Sequence, residues 1–203
     1  MDPKAKHFLD SHLLSRIEDI KIKATDSDIL IAMGLGHVTS QQSFLIKAGN
    51  RYEAFWNAVI KHCPNTSSLL IESNMVTLPN GKNRQIDLFF KIQDRYYYYE
   101  MKCNLNFDSE KSPASVQKII DVAETNKTKY NVQSDNFTYG YFNPAVRYVP
   151  QDIKDKAETI AIQHGVCDLI NIIGEENMPF TAEDYFTYHS TVLKELVVNK
   201  LDL

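Results

Sequence analysis

Two β-rich runs, Gln85–Ile92 and Arg95–Cys103, constrain this chain more than any other feature, because a polar turn at residues 93–94 joins them. Ile, Phe and Tyr make up eight of the 17 residues in the two runs, which is the composition of a pleated and largely buried hairpin. In a hairpin closed at this turn, Asp87 lies directly across from Glu100. The sequence therefore predicts two carboxylates facing each other at one end of a hairpin.

Lys102 belongs to the same cluster, because side chains alternate along a strand and Glu100 and Lys102 therefore share a face. Directly opposed residues have Cβ atoms about 4.5–5.5 Å apart, and opposed like charges destabilise a strand pair. Lys102 offsets part of this repulsion, but a divalent cation would offset much more. Carboxylate oxygens suit Mg²⁺, which keeps several waters and takes further ligands from substrate phosphate.

The alternative interpretation is a solvated Asp–Glu–Lys cluster on an edge hairpin, since a Glu-x-Lys pattern occurs by chance in many strands. The aromatic neighbours of the cluster argue against it, because they indicate burial on both faces. Buried charges persist only when they are paired or bound to a metal, so we favour a metal site. The aromatic neighbours are Phe89, Phe90, Tyr96, Tyr97, Tyr98 and Tyr99.

Asp87 and the Glu100-Met101-Lys102 segment resemble the signature of the PD-(D/E)xK nuclease superfamily, an Asp on one strand and (D/E)xK on the next. Ile86 stands where the family name has Pro, at a position that varies within the superfamily. The continuation NLNFDSEKS, residues 104–112, is similar to a segment of type II restriction endonucleases. The resemblance covers about residues 50–143.

The order of elements predicted from the residues is helix, three antiparallel strands, helix and strand, an α/β sandwich in outline. The resemblance implies the same order, a restriction-endonuclease-like core (α-β-β-β-α-β) with a mixed central sheet flanked by helices. The predicted elements are a helix from Gly49-Asn50 to His62, a first core strand Leu69–Leu78, the hairpin, a helix opened by Ser112-Pro113, and a strand Phe137–Phe142.

Extra helices are expected at both ends of this core, within one nuclease domain of 203 residues. The core spans about residues 50–143, with an N-terminal helical segment, 1–48, and a C-terminal α/β extension, 150–203. The predicted elements outside the core are a helix within Lys4–Lys23, a helix over Ile153–Ala161 stopped by Gly165, a strand Val166–Ile173, and a final helix capped from Thr181.

Composition indicates a cytoplasmic protein. Cys63, Cys103 and Cys167 show no pairing pattern, which favours reduced thiols, and no apolar run is long enough to span a membrane or direct export. The net charge is −4, and the acidity is concentrated in residues 150–203, which have ten acidic and four basic residues. The region around the hairpin is mildly basic, so charge alone gives only a weak indication of nucleic-acid binding.

The resemblance implies a role for each residue of the site. Mg²⁺ is held by Asp87, Glu100 and the carbonyl of Met101, and Lys102 hydrogen-bonds the attacking water or the phosphate. The pairing rule of the hairpin places Gln85 opposite Lys102, where it would orient the ammonium group. Glu53, on the preceding helix, is either a ligand for a second ion or a surface acid in a first helical turn.

The leading hypothesis is a type II restriction endonuclease, a Mg²⁺-dependent enzyme that cuts double-stranded DNA as a homodimer at a short palindromic site. A protective DNA methyltransferase would be its functional partner in the cell. One alternative is a repair or junction-resolving nuclease of the same superfamily. Others are a non-catalytic nucleic-acid or protein-binding module and an unrelated α/β domain. The candidate DNA-contacting residues are Asn104, Asn106, Asp108, Lys111 and Ser112.

Overall fold

A computed structural model of the chain describes residues 1–21, 24–25, 38–39, 41–70, 74–102, 112–150 and 162–201. The chain divides into two compact units. The first unit is Met1–Phe55 with Glu183–Leu203, and the second is Trp56–Ala182. None of the helices in the described ranges is long and apolar enough to cross a lipid bilayer.

Helices occupy both ends of the described chain, and most of the strands lie between residues 66 and 142. The helices are α1 (Pro3–Leu9), α2 (Ser15–Glu18), α3 (Gln41–His62), α4 (Ser112–Tyr130), α5 (Val166–Ile173), α6 (Ala182–Tyr188) and α7 (Lys194–Leu201), with π-helical turns at Asp10–Leu14 and His189–Leu193. The strands are β1 (Ala24–Thr25), β2 (Val38–Thr39), β3 (Thr66–Ser68), β4 (Met75–Thr77), β5 (Asn83–Gln85), β6 (Leu88–Ile92), β7 (Arg95–Met101), β8 (Phe137–Phe142) and β9 (Ile162–His164).

The first unit joins helices from both ends of the chain. The side chain of Asp2 caps α1 by accepting a 2.9 Å hydrogen bond from the Ala5 amide. The Tyr188 hydroxyl donates to the Asp10 carboxylate over 2.6 Å, and the ring of Phe55 stacks on that of Tyr185 at 6.2 Å. The helices predicted within Lys4–Lys23 and after Thr181 are thus present, and each contains a π-helical turn.

His189 lies in the second of these π-helical turns, with its ring 4.0 Å from that of Tyr185. Its Nδ1 lies 2.7 Å from the Tyr185 carbonyl oxygen, which is a hydrogen bond that the neutral ring can donate. Its Nε2 has no hydrogen-bond partner among the described residues. Burial lowers the pKa of His189 from 6.5 to about 4, and the bond to the carbonyl opposes this shift only in part.

The neutral form of His189 is therefore expected to stabilise the fold above pH 6.5, and this stabilisation is lost as the pH falls towards 4. The loss is at most about 3 kcal/mol, reduced by the partial exposure of the ring. Urea unfolding followed by circular dichroism at pH 7 and pH 4 measures it. A His189→Gln variant should lose less stability on acidification than the native chain. An equal loss in both proteins would contradict the assignment.

The second unit is built on a mixed sheet of five strands in the order β3-β6-β7-β8-β9. β3, β6 and β7 are mutually antiparallel neighbours, whereas β8 runs parallel to β7 and β9 runs parallel to β8. Helix α4 packs on one face through Ile119 and Val122, which join Tyr98 and Tyr141 in one buried cluster. The described residues of this unit thus form a mixed α/β fold with a five-stranded sheet flanked by helices.

The opposite face of the sheet is covered by the last turns of α3 and by the segment before α6. Successive residues of a strand point to opposite faces, so Phe142 points away from α4 when Tyr141 packs beneath it. The ring of Trp56 meets that of Phe142 edge-on at 4.8 Å and that of Phe180 at 6.0 Å. The predicted strand Phe137–Phe142 is confirmed with the same ends.

The predicted first core strand Leu69–Leu78 is wrong. The core strand is β3, residues 66–68, which pairs with β6, whereas β4 pairs with β5 in a separate hairpin. The turn Pro79-Asn80-Gly81 explains the difference. Gly81 has φ 78°, and the Leu78 amide donates to the Lys82 carbonyl over 2.9 Å, so this turn closes a local hairpin.

The strand predicted over Val166–Ile173 is also wrong, because this segment is helix α5. Its buried residues are spaced at helical intervals, and the Gly165 amide donates to the Asp168 carboxylate over 2.8 Å at the first turn. Gly165 therefore precedes a helix instead of ending one.

Helix α3 begins at Gln41, eight residues before the predicted start. The Gly49-Asn50 pair, predicted to open the helix, lies inside it. The helix predicted over Ile153–Ala161 lies outside the described residues.

Replacing Gly165 by alanine is expected to destabilise the second unit by about 1–3 kcal/mol or more. A Cβ atom there would lie 2.7 Å from the Arg147 carbonyl carbon, 2.8 Å from the Val146 carbonyl oxygen, and closer still to the Arg147 oxygen. Backbone atoms cannot move aside as a flexible side chain can. Gly49→Ala is the matched control, because nothing lies within 4 Å of its Cβ position. This helical substitution should stabilise by about 0.5–1 kcal/mol. Thermal unfolding of both variants tests the contrast.

Candidate active site

Asp87 and Glu100 lie at the same end of the β6–β7 hairpin. The register predicted for this hairpin is confirmed, since the pairs run from Ile92–Arg95 to Leu88–Tyr99, one step short of Asp87 and Glu100. Both acids are buried, with 8% of Asp87 and 6% of Glu100 exposed. The amide of Met101 donates to Oδ2 of Asp87 over 2.9 Å. This bond holds the Asp87 carboxylate against the backbone that carries Glu100.

Two lysines neutralise the Glu100 carboxylate. The Nζ atom of Lys118, on α4, lies 2.7 Å from Oε1 and 2.8 Å from Oε2. The Nζ atom of Lys102 lies 3.4 Å from Oε1. The Lys102 side chain is 41% exposed and that of Lys118 is 26% exposed. The formal charges of Asp87, Glu100, Lys102 and Lys118 sum to zero, which makes the burial of both carboxylates tolerable.

The backbone around these side chains is held from two directions, by β8 and by α3. The Lys102 amide donates to the Phe142 carbonyl over 3.0 Å and so extends the β7–β8 ladder by one residue. The side-chain amide of Asn57, on α3, donates to the main-chain oxygen of Asp87 over 2.7 Å. Rigid support of this kind keeps the charged groups in one arrangement.

The field of the two carboxylates reaches the neighbouring tyrosines. Burial raises the pKa of Tyr141, the β8 partner of Glu100, to about 12, and the Glu100 charge adds to the shift. Burial also raises the pKa of Tyr98, with further contributions from Glu100 and Asp87. Both phenols therefore remain protonated at neutral pH. The Tyr98 hydroxyl is buried without a hydrogen-bond partner among the described residues.

The structure brings together four of the residues predicted from the sequence, which are Asp87, Glu100, Met101 and Lys102. Sequence reasoning missed Lys118 and Asn57. A signal for Lys118 was present, because it lies directly before the buried Ile119 and one helical turn before Val122. A lysine beside the apolar face of the helix that follows the acidic strand is a signal of an ion pair between that helix and the strand.

The other predicted site residues have different outcomes. The predicted pairing of Gln85 with Lys102 is wrong, because Gln85 pairs with Met75 in the β4–β5 hairpin. The β6–β7 ladder ends at the Leu88–Tyr99 pair, so the pairing rule of this hairpin does not extend to Gln85. Glu53 belongs to the first unit, and its role as a metal ligand stays a prediction. The candidate DNA contacts Asn104, Asn106, Asp108 and Lys111 lie outside the described residues, as does the side chain of Ser112, where α4 begins.

The donor set at the hairpin end suits one hard cation. It consists of the carboxylates of Asp87 and Glu100 and the main-chain oxygen of Met101, all of them oxygen donors. Within the described ranges, no group of three or more His, Cys, Asp or Glu side chains forms a metal cage. Mg²⁺ needs no such cage, since it is commonly held by one or two carboxylates and completes its shell with water and phosphate. The residues present therefore fit Mg²⁺.

No family model matches the chain, and no curated protein matches it. Among solved structures, it is similar to Can2 from Sulfobacillus thermosulfidooxidans in complex with cyclic tetra-adenylate, at 13% sequence identity and a TM-score of 0.37. The match covers 84% of this chain and 54% of that one, so the chain spans about half the length of the matched chain. A likeness at this TM-score carries no argument about function.

Proposed function

We propose that this protein is a Mg²⁺-dependent endodeoxyribonuclease, and more specifically a type II restriction endonuclease with a restriction-endonuclease-like core. One observation carries the proposal: two buried carboxylates, Asp87 and Glu100, lie at one end of a hairpin, with Asp87 bonded to the amide next to Glu100 and two lysines against Glu100. Burial of two neighbouring acids is costly, and a site for a cation and a phosphate gives this arrangement a use.

Each residue of the site has a part in hydrolysing a phosphodiester bond. Asp87, Glu100 and the carbonyl of Met101 would hold the cation, which when bound supplies charge stabilisation at the phosphate and a more acidic water. The Met101 amide holds the Asp87 carboxylate in one orientation. Lys102, the more exposed of the two lysines, would donate a hydrogen bond to the phosphate and stabilise the negative charge that develops there.

The substrate of this proposal is double-stranded DNA, cut at a specific sequence. A homodimer would place one site on each strand, and its two-fold symmetry would match a palindromic recognition sequence. A DNA methyltransferase acting on the same sequence would protect the host genome. Base contacts are proposed for the segment between Asn104 and Ser112, because it directly follows the strand that carries Glu100.

The deciding experiment incubates the purified protein with phage DNA and MgCl₂ and then sequences the fragment ends. Discrete fragments with one shared end sequence, lost when EDTA is added, are the expected result. Cleavage without a shared end sequence, together with preference for branched DNA, would favour a repair or junction-resolving nuclease. Binding of DNA without any Mg²⁺-dependent cleavage would overturn the enzymatic proposal and favour a binding module.

A further inference from the structure

Lys118 has no part in the chemistry proposed above, yet it makes the closest contacts to Glu100. Its Nζ atom lies within 2.8 Å of both carboxylate oxygens, whereas Nζ of Lys102 is 3.4 Å from one of them. Charge-assisted hydrogen bonds of this length are among the stronger polar contacts in proteins. Lys118 is also the less exposed of the two lysines, so water screens its contact less.

We propose that Lys118 is a positioning residue that holds both oxygens of Glu100 in the cation-free site and must release at least one of them when a divalent cation binds. The inference rests on the proposed function, since it concerns the same carboxylate. The Lys118 ammonium group and a metal ion cannot both bind the same two oxygens of Glu100 at full strength. Lys118 therefore competes with the cation and sets its affinity.

The position of Lys118 on α4 allows this exchange. Ile119 and Val122 are fully buried against the sheet, so the backbone of the helix is anchored. The lysine side chain is a flexible chain of four carbons that ends in a compact charge, so it can change rotamer without moving that backbone. Its exposed fraction of 26% shows that part of the side chain already reaches the surface. Release of Glu100 would leave the ammonium group close to the site, where a substrate phosphate would attract it.

The same contact has a second consequence, for stability. Without Lys118, the buried Glu100 carboxylate would keep one, Lys102, of the two lysines that contact it in the described part of the chain. Removing one partner of a buried ion pair leaves a charge that is only partly compensated, which destabilises the fold. A bound cation would restore the compensation. Lys118 thus stabilises the cation-free protein and lowers its cation affinity, and the two effects are linked.

The experiment measures binding of MgCl₂ alone, without DNA, by isothermal titration calorimetry, and thermal unfolding in EDTA and in MgCl₂. Lys118→Met removes the charge and keeps much of the side-chain volume. We expect it to bind Mg²⁺ about tenfold more tightly than the native chain, because Mg²⁺ no longer has to displace one charge-assisted contact to Glu100. Its melting temperature should fall in EDTA and rise more than that of the native protein when MgCl₂ is added.

Two further variants sharpen the test. Lys118→Arg should weaken Mg²⁺ binding relative to the native chain, because a guanidinium group can hold both carboxylate oxygens in a planar fork. Lys129→Met is the control for loss of charge, since Lys129 is exposed on the last turn of α4, over the ring of Tyr130. It lies about 16 Å along the helix from Lys118 and should change Mg²⁺ binding little.

The possible outcomes separate this inference from the proposed function. Native protein that binds Mg²⁺ with an affinity unchanged in both Lys118 variants would overturn the inference and leave the nuclease proposal intact. Tighter binding by Lys118→Met and weaker binding by Lys118→Arg would support it, even if the protein cuts no DNA. Absence of Mg²⁺ binding in the native chain and in both variants, with no cleavage, would overturn both. If Lys118→Met does not fold, the comparison of Lys118→Arg with the native chain decides.

Discussion

For the proposed nuclease, replacing Lys102 by alanine is expected to lower the rate of Mg²⁺-dependent DNA cleavage by about 10²–10⁴. The lysine is positioned by a 3.0 Å hydrogen bond from its amide to the Phe142 carbonyl, and its Nζ atom lies 3.4 Å from Glu100. Its side chain is the more exposed of the two lysines that contact this carboxylate. On the proposed mechanism it is therefore the lysine that a DNA phosphate would reach first, and the alanine variant has no cation at this position, one residue after the end of β7.

Cleavage of a supercoiled plasmid, followed over time on agarose gels, measures this effect. Lys82→Ala is the matched control, because it removes the same charge from an exposed turn between β4 and β5. We expect the control to cleave at close to the native rate. Because Lys102 is partly exposed, the variant should remain folded, and circular dichroism verifies this. A folded Lys102→Ala protein that retained nearly the full rate would remove Lys102 from the mechanism.

Replacing Phe142 by alanine is expected to lower the free energy of unfolding by about 3–5 kcal/mol. The Phe142 ring is fully buried in β8 and meets the ring of Trp56 edge-on at 4.8 Å. Loss of the ring removes buried apolar surface and leaves a cavity that the stiff sheet cannot close. This loss would be a large fraction of the whole stability of a typical domain, which is about 5–15 kcal/mol.

Urea unfolding followed by tryptophan fluorescence measures this change directly, since Trp56 is the only tryptophan of the chain. Phe142→Leu is the control, because it fills most of the volume, and a loss below about 1.5 kcal/mol is expected. A loss below about 1.5 kcal/mol in the alanine variant as well would show that the space closes, and would contradict close packing of Phe142 against Trp56 on this face of the sheet.

The hairpin and its register could be predicted because both depend on local information. The turn at residues 93–94 and the alternation along two strands are enough to oppose Asp87 and Glu100, and β6 and β7 pair in that register. The ends of β8 could be predicted for the same reason, since Asn143-Pro144 stops the strand. Gln85 marks the limit of this reasoning, because β5 turns away to pair with β4.

The secondary structure of short apolar segments could not be predicted from local sequence in the same way. Val166–Ile173 has a composition that suits a strand or a buried helix equally well, and a short apolar run does not distinguish them. The Asp168 carboxylate, which accepts from the Gly165 amide, stabilises the helical start, and burial of one side of the helix then selects it. Likewise, the run after Cys63 contains two short strands that belong to different sheets.

The order of residues along the chain was sufficient to predict an acidic pair and a lysine at one end of a hairpin, because strand geometry relates neighbours two residues apart and partners across one turn. It was not sufficient to identify Lys118, whose Nζ atom contacts a carboxylate eighteen residues earlier in the sequence. That contact exists only because α4 packs on the sheet and directs one edge of its apolar face at Glu100. The tertiary structure alone decided how the buried charge is balanced, since balance depends on distance in space.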